Sequence, residues 1–142
     1  MINGVILQKL QALDDVLIEL RSLGAVSVSQ LQAEWRTRRA IERDLQVLVE
    51  IVIDVCQRLL SVSGNTPSST GRQAVERCIN LGILSDTAAY KKMVQFRNFI
   101  VHRYERVDDA ILVDMVNRRL TDFDRFREEV LLYASQQSSD TN

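Results

Sequence analysis

The chain has 142 residues, a net charge of −1, 46% hydrophobic and 26% charged residues, the proportions of one soluble globular domain with material for one ordinary core. That charge carries no strong basic excess, so a broad nonspecific nucleic-acid surface is disfavoured and any RNA contact must be local. One Pro and 5 Gly, the residues that interrupt helices, favour a helical class. No basic segment precedes an apolar run at the N-terminus, and the longest apolar stretch, Val47 to Val55, is broken by Glu50 and Asp54. Neither a signal peptide nor a membrane span is expected, and the expected location is cytoplasmic.

Cys56 and Cys78 are not in a CxxC pair, and one His cannot complete a usual zinc set with them. They read as small core side chains; no metal and no cofactor is expected.

In chain order, Ile2, Val5, Ile6, Leu10, Leu13, Leu17 and Leu20 recur at helical spacing and Gly24 follows as a stop, which predicts a first helix over 1–23. Ser29-Gln30-Leu31-Gln32 has the form of a capping box and predicts a second helix from about Gln30 to Val62, roughly 50 Å long. Trp35, Ile41, Leu45, Leu48, Val52, Val55 and Leu59 form its apolar stripe. The Arg36, Arg38, Arg39, Arg43 run reads as a solvated face able to pair with Glu34, Glu42 and Asp44. Ser61 to Gly71 is a loop. A short helix follows near Arg72 to Leu81, with Gly82 as its C′ residue. Ser85 is the predicted N-cap of a fourth main segment carrying Met93, Phe96, Phe99 and Ile100 as its core face. Asp108 or Asp109 caps a last helix running to about Ser135. The expected fold is all-α: an antiparallel bundle of four main helices plus one short helix, a single domain over 1–135, then a polar flexible tail over 136–142.

Residues 91 to 106 hold the candidate chemistry. At about 100° per residue, Asn98 and His102 fall together on the side opposite Met93, Phe96, Phe99 and Ile100, with Lys91 and Glu105. Val94 and Val101 share that second side, which suggests that a partner copy covers it. Arg97 lies at the border, with Tyr104 along the axis from it. Arg97 and His102 point apart by about 140°, so to act on one phosphate they need a bend here or a partner chain that contributes the second set, and a composite site is the more natural arrangement. The residue types suit RNA cleavage without metal: His moves a proton near neutral pH, and Arg steadies the developing phosphorane charge with a planar fork of donors. Asn98 orients His102 or donates to a phosphate oxygen. Neither GxGxxG nor GxxxxGK occurs. From spacing alone the same segment also fits a surface His near a helix end and a half-buried Tyr.

The segment Arg97-Asn98-Phe99-Ile100-Val101-His102-Arg103-Tyr104 resembles the R-x4-H-x-Y signature of HepT-like HEPN proteins. Pro67-Ser68-Ser69, Leu81 to Ser85 and Val107-Asp108 follow the family's order, and Arg39 to Gln46 with Asp54 is similar to its long second helix; the resemblance spans about residues 1–133. It implies a HEPN-type helical bundle that forms a homodimer around the motif helix and acts as an endoribonuclease toxin, with Arg97 and His102 catalytic and Asn98 as the polar residue after the Arg. It also implies a cognate minimal nucleotidyltransferase antitoxin that transfers AMP onto Tyr104 and blocks the RNA phosphate. Lys91, Lys92, Arg97, Arg103 and Arg106, doubled across the dimer, would make a local basic groove. The alternative expectation is a non-catalytic helical module that partners a nucleotidyltransferase.

Overall fold

The computed structural model describes the backbone of residues 4–101 and 108–140, with side chains over 4–99 and 108–137. Among the described residues there are seven helices and no strand: α1 (Gly4–Ser22), α2 (Val28–Ala33), α3 (Trp35–Val62), α4 (Gly71–Asn80), α5 (Ala88–Val101), α6 (Asp109–Arg118) and α7 (Leu120–Asp140). The all-α class is as expected. The helix count rises because two expected long helices are each broken in two.

The first break is at Glu34, whose extended backbone (φ −120°, ψ 82°) ends α2 and begins α3. Three contacts require the short α2. Leu31 is fully buried. The Val26 N–H donates to Asn117 Oδ1 (2.9 Å) and Asn117 Nδ2 donates back to the Val26 carbonyl (2.8 Å), tying the start of this connection to α6. Ser27, not Ser29, caps α2, accepting from the Gln30 N–H at 3.1 Å. Trp35, assigned to the apolar stripe, is instead 66% exposed, its ring 5.2 Å from the Arg36 guanidinium.

Helix α3 packs against α1, α2, α4, α5 and α6. Its buried face is broad: Ile41, Leu45, Leu48, Val52, Val55 and Leu59 are flanked by Val49, Cys56 and Leu60. This accounts for the breadth of its apolar stripe, since a helix hydrophobic over so much of its circumference belongs inside. Cys56 and Cys78 meet at the α3–α4 contact, where the Cys78 thiol donates to the Cys56 carbonyl at 3.6 Å. The hydrogen bond with the Cys78 thiol, then burial, pushes the Cys56 thiol up in pKa. The contact is close enough that a Cβ on Gly71 would stand 2.7 Å from Ile53 Cδ1.

Thr70 caps α4 through the Gln73 N–H. The end of α4 is as expected: Gly82 has φ +78°, its N–H reaches the Ile79 carbonyl (3.0 Å) and the Ile83 N–H reaches the Cys78 carbonyl (3.0 Å), a Schellman ending. Ser85 does not cap α5, which starts at Ala88. Its N–H and hydroxyl both go to the Glu129 carboxylate of α7, at 2.6 and 2.9 Å, and the Tyr90 hydroxyl adds a third donor at 3.0 Å. Burial, then the Glu129 carboxylate, raises the Tyr90 pKa. The second break, at Arg119, separates α6 from α7. It lets α7 lay Phe123, Phe126 and Val130 into the core, with Phe126 edge-on to Tyr90 at 6.3 Å. α7 continues past Ser135 to Asp140.

Candidate functional site

Helix α5 presents the described part of the motif. Tyr90, Met93 and Phe96 are buried, which clamps its N-terminal half to the bundle. Its C-terminal half emerges from the core: Arg97 is half-buried, Asn98 is exposed, and Phe99 is 47% exposed. Lys91 is exposed on the Asn98 side. His102, Arg103, Tyr104 and Arg106 lie outside the described residues, as does the side chain of Val101.

Two face assignments change. Phe99, predicted for the core with Met93 and Phe96, stands largely in solvent. Val94, predicted to need cover from a second chain, is 8% exposed within its own chain and faces α4 beside Val75 and Ile79. Ideal angles put Phe99 near Phe96, but neighbouring helices decide how much of a face is covered, and here the core ends before Phe99.

α5 is a ridge with a groove on each flank. Between α4 and α5 lies a cavity of about 200 Å³ that reaches Lys91, Val94, Gln95 and Asn98. Between α5 and α6 lies one of about 280 Å³ lined by Lys92, Phe96, Phe99, Ile111, Asp114 and Met115. A third, of about 310 Å³, sits between the turns α1–α2 and α6–α7 and touches none of the described motif residues. Among the described residues no group of three His, Cys, Asp or Glu side chains could hold a metal ion.

Arg38 is also placed differently from the sequence expectation. It was grouped with a solvated basic face, yet its side chain is only 6% exposed. Its Nε donates to Asp109 Oδ1 at 2.6 Å and its Nη1 to Glu42 Oε2 at 2.8 Å. The Glu42 pairing was legible as an i,i+4 contact. The Asp109 pairing was not, because it joins α3 to the first turn of α6 across 71 positions. Asp109 sits one residue after Asp108, whose carboxylate caps α6 through the Ala110 N–H at 2.8 Å. The chain that leaves α5 with the motif is therefore re-anchored, within two residues of where it is next described, by a helix cap and a buried ion pair.

None of the described helices is long and apolar enough to cross a membrane. Comparison with curated proteins gives no sequence match. Among solved structures the fold resembles a tri-AMPylated Shewanella oneidensis HEPN toxin in complex with its MNT antitoxin, at a TM-score of 0.81 and 20% identity over 92% of this chain and 99% of that one. A toxin–antitoxin structure with AMP-PNP matches equally, with a TM-score of 0.81 at 20% identity and the same coverage. A mutant MntA–HpeT toxin–antitoxin structure gives 0.79 at 22%, again over 92% of this chain and 99% of that one. The bundle is thus of the HEPN type. The family model described as Ribonuclease HepT-like matches residues 11–130, and the chain belongs to that family.

Proposed function

We propose that this protein is the toxin of a HEPN–nucleotidyltransferase pair, a cytoplasmic homodimeric endoribonuclease that cleaves RNA without a metal. The observation that carries the reading is the end of α5: a core-anchored helix that brings Arg97 and Asn98 to the surface at the start of the R-x4-H-x-Y segment of a HepT-like family chain. In the proposed reaction the RNA 2′-oxygen attacks the adjacent phosphorus while His102 takes its proton. The bond from phosphorus to the 5′-oxygen breaks, that oxygen is protonated, and a 2′,3′-cyclic phosphate remains. Arg97 holds the charge on the phosphorane oxygens, and Asn98 orients His102 or donates to a phosphate oxygen. Lys91, Arg103 and Arg106 contribute the local positive field that holds the strand.

The dimer reading now rests on Phe99 rather than on Val94. A half-exposed aromatic beside the α5–α6 groove is the kind of apolar surface that a second copy covers. Modification of Tyr104 by the antitoxin would place adenylate and phosphate two residues from His102 and exclude the RNA phosphate. The structures of toxin–antitoxin complexes that share this fold, one of them tri-AMPylated, support that regulation.

The test is incubation of purified protein, free of antitoxin, with RNA in EDTA. Wild type is expected to cleave, and His102→Ala and Arg97→Ala to lose about 10²–10³-fold in rate or more. Equal cleavage by wild type and His102→Ala, or none by either, would reject the reading.

A further inference from the structure

The cavity between α4 and α5 joins an apolar floor to a polar, charged rim. Its floor is apolar: Val75 is 2% and Val94 8% exposed, and Ile79 closes the end. Its rim is polar, with Gln95 and Asn98 on α5 and the cations Lys91 and Arg72 on either side. Arg72 is half-neutralised by its ion pair with Glu76 (2.9 Å), which leaves the rim net positive. Among the described residues, neither the Gln95 nor the Asn98 amide is engaged by a protein partner. The two side chains are three residues apart on one helix and both line the same opening, with Gln95 also bordering the groove toward α6.

At about 200 Å³ the cavity is smaller than the ~300–1,000 Å³ of sites that take drug-sized ligands, and suits one ring system rather than a whole nucleotide. It opens on the side of α5 to which the helical repeat assigns Asn98 and His102, and its lining residue Asn98 follows Arg97 in the chain.

The geometry points to a subsite for a single unpaired nucleobase of the RNA, the base next to the phosphate held at Arg97. The flat faces of the base lie against Val75, Ile79 and Val94. The Gln95 and Asn98 amides, each both donor and acceptor, read its hydrogen-bonding edge, as side-chain amides do when they recognise bases. Lys91 and Arg72 hold the phosphates on either side. Cleavage would then show a base preference set by α4 and Gln95, residues outside the catalytic pair. This inference rests on the ribonuclease reading for its biological sense, though not for its test.

The experiment measures binding of fluorescent A, C, G and U homo-oligonucleotides to His102→Ala protein, alone and with Ile79→Trp, which fills the half-buried end of the cavity, or with Gln95→Leu. Protein with His102 intact, alone and with each of the two changes, is mapped in parallel for its cleavage sites. The His102→Ala protein is expected to prefer one or two of the four homo-oligonucleotides by about tenfold, and both added changes to flatten that preference. Gln95 is exposed, so Gln95→Leu reports even where Ile79→Trp fails to fold. Folded variants that keep the preference, with unchanged cleavage sites, would overturn the subsite and leave the nuclease intact. A preference lost in both variants, while wild type cleaves nothing, would keep the subsite and remove the nuclease. Binding of 5′-AMP abolished by Ile79→Trp, with every RNA bound as before, would overturn the RNA assignment in favour of an adenine site.

Discussion

Phe96 and Phe99 are the same residue type, three apart on the same helix, yet Phe96 is 2% exposed and Phe99 47%. The difference divides α5 into two regions with different tasks. Up to Phe96 the helix is scaffold, gripped by α3, α4 and the Tyr90–Glu129–Ser85 network. From Arg97 onward it emerges, with Arg97 half-buried and Asn98 and Phe99 exposed, while the fixed half holds their direction. A reactive group on a rigid element needs less reorganisation than one on a free loop, and the boundary falls one residue before the motif begins.

The largest expected effects test that boundary directly. Phe96→Ala should destabilise by about 3–5 kcal/mol in urea unfolding, whereas Phe99→Ala should cost well under ~1 kcal/mol and instead weaken self-association in sedimentation. Similar stability losses at the two positions would erase the division.

Next comes the far end of the motif. Arg38→Ala should cost about 3 kcal/mol, because it removes the buried cation that the largely buried Asp109 and the half-buried Glu42 carboxylates share. Replacing Arg38 by Met with Asp109→Asn and Glu42→Gln should recover most of that loss. A single-mutant cost near zero would show that this anchor does not hold α6.

The smallest effect lies away from α5. Burial, then the hydrogen bond and charge of Glu19, raise Asp44 from its ordinary 3.8 to about 6. Between those values the folded chain binds more protons than the unfolded one, so stability should fall as pH rises through pH 4–6, by about 1 kcal/mol once solvent screening is allowed for. Asp44→Asn should flatten that slope and leave the protein slightly more stable at pH 7. A slope unchanged in Asp44→Asn would place the titration elsewhere.

The helical class and most of the core were legible because a repeat of three to four residues is a local property of the chain. Gly82 as a helix stop and Asp108 as a cap were legible for the same reason: both act within a few residues of themselves. The capping-box pattern points to Ser29 where the helix is capped by Ser27, because the choice depends on where Asn117 holds Val26. Arg38 looked like its surface neighbours, because nothing within a helical turn reveals Asp109 arriving from α6.

The motif on α5 follows the same split. By itself the sequence determined that Arg97 and Asn98 stand near the end of an amphipathic helix in a HepT-like chain, since motif spacing and periodicity are written along the backbone. Only the tertiary structure decided that Val94 is already covered, that Phe99 is not, and that a cavity opens beside Asn98. Burial is settled by which helices arrive from elsewhere in the chain and where their packing stops, and helical angles carry no record of that.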